Sequence, residues 1–543
     1  MSDKRPLSID DLLSFYRAGL PRVSPDGKWV VFVATRPDRA ADRNQSDLFR
    51  VAVDGGEVVQ LTHQGSSNTD PQFSRDGRHL AFTSNRSGKS QVWLLPTDGG
   101  EARQVTRLER GVQRPVWAPD GDHLFAISPV PIDPDATDAP PASVDADGGG
   151  DGDGDSDAVK PRLIDELMFR HWDSWTDGLV DHLHRVDVAT GDAVDVTPGP
   201  YPTPPRSLTG DPDYAVSPDG TEVCFVSLRH PDQARSTNTN LWLIPATGDG
   251  TAEPRRISPR DGSNAHPAYS PDGSRIAYVG MRRPGYEADR RELLVYDRAS
   301  GETVEVAPGF DRSVGPPVWS PDGETLFFAA EDKGASRLHR VPAAGGKPEP
   351  LTEAATDRDP VVAPDGRSLV FVRQTSTAPP EICRVATTGG VTDPLTGLNR
   401  ETVAALDLAS ADDFWYEGAG GTRIHGFMIK PPGFDAGTRY PVVFLIHGGP
   451  QGAFGFDFHE RWNAHLFASP GYVVVMINPR GSTGYGQDFT DSIHGEWGGA
   501  CYEDLARGFD HVLATYPFCD PDRTAACGAS FGGFMVKDRK SVV

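Results

Sequence analysis

The pentapeptide Gly528-Ala-Ser530-Phe-Gly532 sets a serine midway between two glycines. This G-x-S-x-G spacing suits a serine carried on a strained strand-to-helix turn. Small flanking residues let the backbone crowd there while the hydroxyl stands clear of the sheet. Cys527, Gly528, Ala529, Gly532 and Gly533 meet that crowding condition. A hydroxyl so held could attack an acyl carbon. Earlier in the chain, His447-Gly-Gly-Pro450 follows an apolar run. Its Gly448–Gly449 segment could turn backbone N–H groups toward the oxygen that gains charge in acyl transfer, with the N–H of Phe531 as a second donor. His447 itself reads as structural, because behind such an elbow the catalytic histidine comes later in the chain than the serine. No histidine follows His511.

A serine held in this way needs a buried parallel sheet beneath it. Pro441-Val-Val-Phe-Leu-Ile446 and Tyr472-Val-Val-Val-Met-Ile477 are continuous apolar runs, as strands covered on both faces are, and Thr524-Ala-Ala-Cys527 leads into the elbow. A hairpin is expected at 413–416 and 424–429, with helices at about 457–468 and 499–516. Alternating buried strands and helices predict an α/β domain over residues 401–543.

Before residue 400 the pattern is different. An apolar or aromatic residue, Ser or Ala, then Pro-Asp-Gly recurs at Val23–Gly27, Trp117–Gly121, Val216–Gly220, Tyr269–Gly273, Trp319–Gly323 and Val362–Gly366, with an Arg-Asp-Gly variant at Phe73–Gly77. The turn aspartates are spaced 50, 44, 99, 53, 50 and 43 residues apart. Each turn precedes a short apolar strand, such as Trp29–Val33. A second strand, a Gly turn and a closing apolar–hydroxyl pair such as Leu61-Thr62 or Val105-Thr106 follow. That is the four-stranded meander of a propeller blade, and it predicts a seven-bladed β-propeller over residues 21–400. The gap of 99 holds residues 131–158, an acidic, aromatic-free stretch expected to be a disordered surface insert. Its Asp151–Asp157 run lacks the Gly and Glu spacing of a calcium loop. Residues 1–20 form an N-terminal arm with a helix capped by Ser8 and Asp11, expected to pack across both domains.

The chain has 543 residues and a formal net charge of −24, from 77 acidic and 53 basic side chains. That balance argues against a nucleic-acid partner or an anionic membrane surface, and no apolar run is long enough for a membrane helix. Five widely spaced cysteines without a C-x-x-C pair read as reduced thiols of a cytoplasmic protein, with no metal site and no cofactor implied.

Together these residues resemble the prolyl oligopeptidase-type serine peptidases, in the acylaminoacyl-peptidase/dipeptidyl-peptidase V branch. The resemblance is carried by His447–Ala453, Arg461-Trp-Asn463, Asn478-Pro-Arg-Gly-Ser-Thr-Gly-Tyr-Gly486, Trp497-Gly-Gly499, Tyr502-x-Asp504-Leu505 and Gly528–Met535. It implies a β-propeller followed by an α/β-hydrolase domain, with Ser530 as acylating nucleophile and Gly448, Gly449 and Phe531 around the oxyanion. It also implies short peptides as substrates, cleaved from their N-termini, and a propeller that excludes folded proteins. Arg480 and Tyr485 read as shaping their loop. The family's Asp and His after the serine have no counterpart here, so the α/β-hydrolase domain reads as incomplete, cut after the elbow. Residues 536–543 do not continue the family's helix and read as a non-native tail, and the chain as it stands is expected to be inactive. An esterase acting on non-peptide esters, or a non-enzymatic propeller binding module, are the alternative readings.

Overall fold

The computed structural model describes residues 4–132, 164, 167–205, 214–230, 233–248 and 252–537. The acidic insert from residue 133 onward and tail residues 538–543 lie outside these.

Five of the seven repeated turns begin with serine, and each serine hydroxyl donates to the aspartate two residues on. Ser24–Asp26, Ser74–Asp76, Ser217–Asp219 and Ser270–Asp272 span 2.6 Å, and Ser320–Asp322 spans 2.5 Å. The glycine after each repeated aspartate has φ between +70° and +76°, where a side chain would be strained. The hydroxyl bonds hold the Asp219 and Asp272 carboxyls down at about 2. A depressed carboxyl adds stability above its ordinary value near 3.8 that is lost as pH falls through about 2. Replacing Ser217 and Ser270 together by alanine should therefore move the acid-unfolding midpoint, followed by tryptophan fluorescence, to higher pH. An unchanged midpoint would remove the turn bonds from the stability account.

Each turn lies within a four-stranded antiparallel meander. The first meander is Arg17–Val23, Trp29–Asp38, Arg43–Ala52 and Val59–Gln60; the last is Thr356–Val362, Ser368–Thr375, Ala378–Ala386 and Asp393–Pro394. Seven meanders succeed one another among the described residues, and a single parallel bridge, Ser336 to Thr356, links the last two. The closing hydroxyl accepts a backbone N–H from the third strand of its own meander. Thr62 accepts from Leu48, Thr106 from Val92, Thr197 from Leu183 and Thr396 from Ile382, at 2.9–3.0 Å. A buried donor is thereby satisfied where the fourth strand is too short to reach it. Each neighbouring pair of meanders shares an apolar cluster, as Val31 and Leu48 with Leu80 and Phe82. Val30 and Phe32 pack on Val370, Val372 and Ile382, and Arg384 donates to Val53 O at 3.0 Å, so the last meander meets the first without a described strand ladder between them.

The rest of the chain is a five-stranded sheet in the order Asp412–Glu417, Arg423–Ile429, Val473–Asn478, Tyr440–Ile446, Cys519–Gly528. The last two pairings are parallel and the others antiparallel. Helix Ala500–Thr515 lays Cys501, Leu505, Phe509 and Val512 over Phe444, Val475 and Ile477 on one face. Ala468 covers Phe427, Val474 and Met476 on the other. The helix expected at 457–468 is only Ala464–Ala468, capped by the Asn463 side chain. The preceding segment is pulled out of helix by the meander half: Phe456 N–H donates to Gly334 O at 2.9 Å, and Phe458 is buried. The N-terminal helix is likewise a single turn, Ile9–Leu12, closed by the Ser8–Asp11 capping box. Beyond it the chain is extended, which lets Phe15 meet Phe458 edge-on at 5.4 Å and takes residues 17–20 into the first meander. The backbones of the two halves approach closely at Gly334 and Gly455, where a β-carbon on Gly455 would lie 2.1 Å from Gly334 O.

Candidate active site

Strand Cys519–Gly528 ends at the elbow and helix Phe531–Lys537 begins directly after Ser530. Ser530 has φ +56° and is exposed. A non-glycine residue in this region costs about 1–3 kcal/mol, a strain that persists only where the surroundings enforce it. They do so here by contact. A β-carbon on Gly532 would lie 2.1 Å from Ile446 O, and one on Gly528 would lie 2.5 Å from the Gly532 carbonyl carbon. Gly532→Ala is accordingly expected to destabilise the α/β half by about 1–3 kcal/mol or more, read as a shift in the urea midpoint. An alanine variant as stable as wild type would mean the elbow is looser than these contacts describe.

The Gly448–Gly449 segment lies against the elbow: a β-carbon on Gly448 would stand 3.3 Å from Ala529 O and 3.5 Å from the Ser530 Cβ. Neither the Gly448 nor the Gly449 N–H has an acceptor among the described residues. The first N–H groups of helix Phe531–Lys537, that of Phe531 foremost, have no acceptor within the helix by geometry. The glycine segment and the first turn of the last helix thus flank an exposed hydroxyl.

His447 is not free to serve Ser530. Its Nδ1 donates to Gly448 O at 2.7 Å, and its Nε2 lies 3.0 Å from Ser482 Oγ, whose hydroxyl is also 2.7 Å from Pro479 O. Burial pushes the imidazole below its ordinary range, favouring the neutral ring.

The loop behind this segment is fixed in depth. Arg480 forms a bidentate pair with Asp504, Nε to Oδ2 at 2.7 Å and Nη2 to Oδ1 at 2.9 Å. The Asp504 carboxylate also accepts the N–H groups of Arg480 and Ala419, and none of it is exposed. This pairing raises Arg480 further above its ordinary value. Tyr485 accepts from Asn478 Nδ2 and meets His425 Nδ1, both at 2.8 Å. Asn478 also pairs twice with the backbone of Phe454. Arg480 and Tyr485 therefore shape their loop, as read from sequence. Asn478 and Ser482, to which sequence reasoning gave no role, tie it to Phe454 and to His447, on either side of the glycine segment. Their one signal was polar side chains flanking Pro-Arg-Gly in an otherwise apolar strand end.

A cleft of about 680 Å³ lies between the two halves, walled by Asp289, Arg291 and Glu331 from the meanders and by Gly449, Gln451 and Gly484 from the sheet side. It is joined across by Arg283 to Asp491 at 2.7 and 3.0 Å.

Comparison with known proteins bears on this arrangement. A family model described as the prolyl oligopeptidase family matches residues 457–537, and one described as the TolB beta propeller domain matches 14–130 and 221–410. Probable dipeptidyl-peptidase 5 of Arthroderma benhamiae is 37% identical over 402 residues, covering 69% of this chain and 55% of its own length. Dipeptidyl-peptidase 5 of Porphyromonas gingivalis is 30% identical over 538 residues, covering 98% of this chain and 76% of its own. The chain thus spans a little over half the length of the fungal relatives it matches. Among solved structures, acylaminoacyl peptidase of Pyrococcus horikoshii superposes with a TM-score of 0.77 at 19% identity, over 98% of this chain and 76% of that one. A Mycobacterium tuberculosis puromycin-hydrolyzing peptidase gives 0.69 at 18%, over 98% and 77%. These last two show the fold alone: a propeller joined to a peptidase-type α/β domain.

Proposed function

The chain belongs to the prolyl oligopeptidase family, and on that premise we propose that Ser530 is the acylating nucleophile of a serine exopeptidase that removes dipeptides or acylated residues from the N-termini of short peptides. The seven meanders are its seven-bladed propeller, and the cleft between propeller and sheet is where the peptide lies. The observation that carries the reading is the exposed Ser530 at φ +56°, set beside the unoccupied N–H groups of Gly448 and Gly449.

Ser530 Oγ attacks the scissile carbonyl carbon. The carbonyl π electrons move to oxygen, where the N–H groups of Gly449 and Phe531 receive the charge. The tetrahedral species collapses to an acyl-enzyme as the amine leaves, and water then releases the acyl group. The serine proton needs a base. Among the described residues His447 is engaged at both nitrogens, and no hydrogen bond joins Ser530 Oγ to a histidine.

The test extends the chain after Met535 with the corresponding C-terminal residues of the Porphyromonas gingivalis relative. The chimera should release dipeptides from short peptides, and Ser530→Ala should abolish that release. A folded chimera that hydrolyses simple esters but no peptide would favour the esterase reading instead.

A further inference from the structure

His447 lies in the middle of the glycine segment without touching the reacting atoms, and its contacts give it a different role. Its Nδ1–H holds the carbonyl of its own successor, Gly448, at 2.7 Å. Gly452 crowds the same contact, since a β-carbon there would stand 3.1 Å from Gly448 O and 3.6 Å from His447 Nδ1. The Gly448–Gly449 peptide is trans, so its C=O and N–H point in opposite directions across one plane. Fixing the Gly448 oxygen on the imidazole therefore turns the Gly449 N–H away from it. Gly449 borders the cleft, and its N–H has no acceptor among the described residues. The ring is in turn held by Ser482 Oγ at Nε2 and by Phe454 edge-on at 5.5 Å. Glycine at 448 and 449 leaves this peptide able to flip when the clamp is released.

We propose that His447 is a positioning residue. By clamping the Gly448 carbonyl it sets the peptide plane that presents the Gly449 N–H to the substrate oxyanion, and Ser482 holds the ring in the orientation that permits this. The inference rests on the reading of this segment as the oxyanion site.

The two ring nitrogens can be separated by substitution. An asparagine amide nitrogen falls near the position of Nδ1, and a glutamine amide nitrogen falls near that of Nε2. His447→Asn keeps the clamp on Gly448, His447→Gln keeps only the partner of Ser482, and His447→Ala keeps neither. Each variant of the 543-residue chain would be crystallised, and its affinity for a dipeptidyl boronic acid, which forms a tetrahedral adduct on a serine, measured by calorimetry. The expected result is that His447→Asn preserves the Gly448 carbonyl direction and binds within about threefold of wild type. His447→Gln and His447→Ala should release the carbonyl and bind at least about tenfold more weakly. A Gly448 carbonyl unmoved in His447→Gln, or equal boronate affinity in the Asn and Gln variants, would overturn the proposal. If His447→Ala does not fold, the Asn-against-Gln contrast decides alone. If wild type binds no boronate, the Gly448 carbonyl direction in the crystal structures decides: a carbonyl that follows His447 as described supports the clamp and one that does not overturns it, while the assignment of Ser530 as nucleophile is tested separately on the extended chimera.

Discussion

A polypeptide of these 543 residues is expected to hydrolyse dipeptidyl chromogenic amides no faster than its Ser530→Ala variant. The reason is that no base meets Ser530 among the described residues, although the elbow itself is well formed. A serine hydroxyl is protonated at neutral pH, and it becomes a competent nucleophile only when a neighbour takes its proton in the transition state. In serine hydrolases of this chemistry, losing the base costs roughly 10⁶-fold in kcat, while the oxyanion donors and substrate binding alone retain a small residue of catalysis. Ser530 Oγ has no hydrogen-bond partner among the described residues, and His447 faces Gly448 and Ser482. Progress curves with and without Ser530→Ala should therefore coincide from pH 5 to 9. A rate that rises through pH 6–7 and vanishes in Ser530→Ala would show that a histidine within the chain does reach the serine.

The second large effect concerns Asp504. Its unexposed carboxylate accepts four N–H groups, three from Arg480 and one from Ala419. Removing one partner of a buried, hydrogen-bonded ion pair leaves the other charged and unsolvated, at a cost of about 3–5 kcal/mol. Gly418 shows how closely the site is built: a β-carbon there would lie 2.3 Å from Asp504 Oδ1. Asp504→Ala should destabilise the α/β half by that amount, read as a lower urea midpoint. It should also free the 478–486 loop, so that amide exchange of the peptide covering residues 447–454 accelerates as well. Exchange confined to residues around 480 would separate the buried pair from the glycine segment and weaken the chain of support drawn between them.

The sequence exposed the repeat because each blade-like unit solves the same local problem. A turn glycine at φ near +72° and a Ser-x-Asp bond leave a periodic signature that survives any change in the apolar strands. The closing Leu-Thr or Val-Thr pair was also visible, but its purpose was not. That Thr106 Oγ1 accepts from the Val92 N–H depends on how far the fourth strand reaches, which no spacing records. The elbow was legible for the same reason as the turns, since steric exclusion at Gly528 and Gly532 admits almost no other residue. Helix extents were not legible in the 457–468 region. There the segment answers to the propeller, through Gly334, and not to its own periodicity. The clamping contact of His447 was hidden too, because an imidazole's partners are set by a loop 35 positions away.

The most direct measurement is labelling of the Porphyromonas-extended chimera by a fluorophosphonate, followed by peptide mapping. The account predicts a single adduct, on Ser530 of the Gly528–Gly532 peptide, lost in Ser530→Ala. A folded chimera that takes no label, or takes it on another residue, would contradict it.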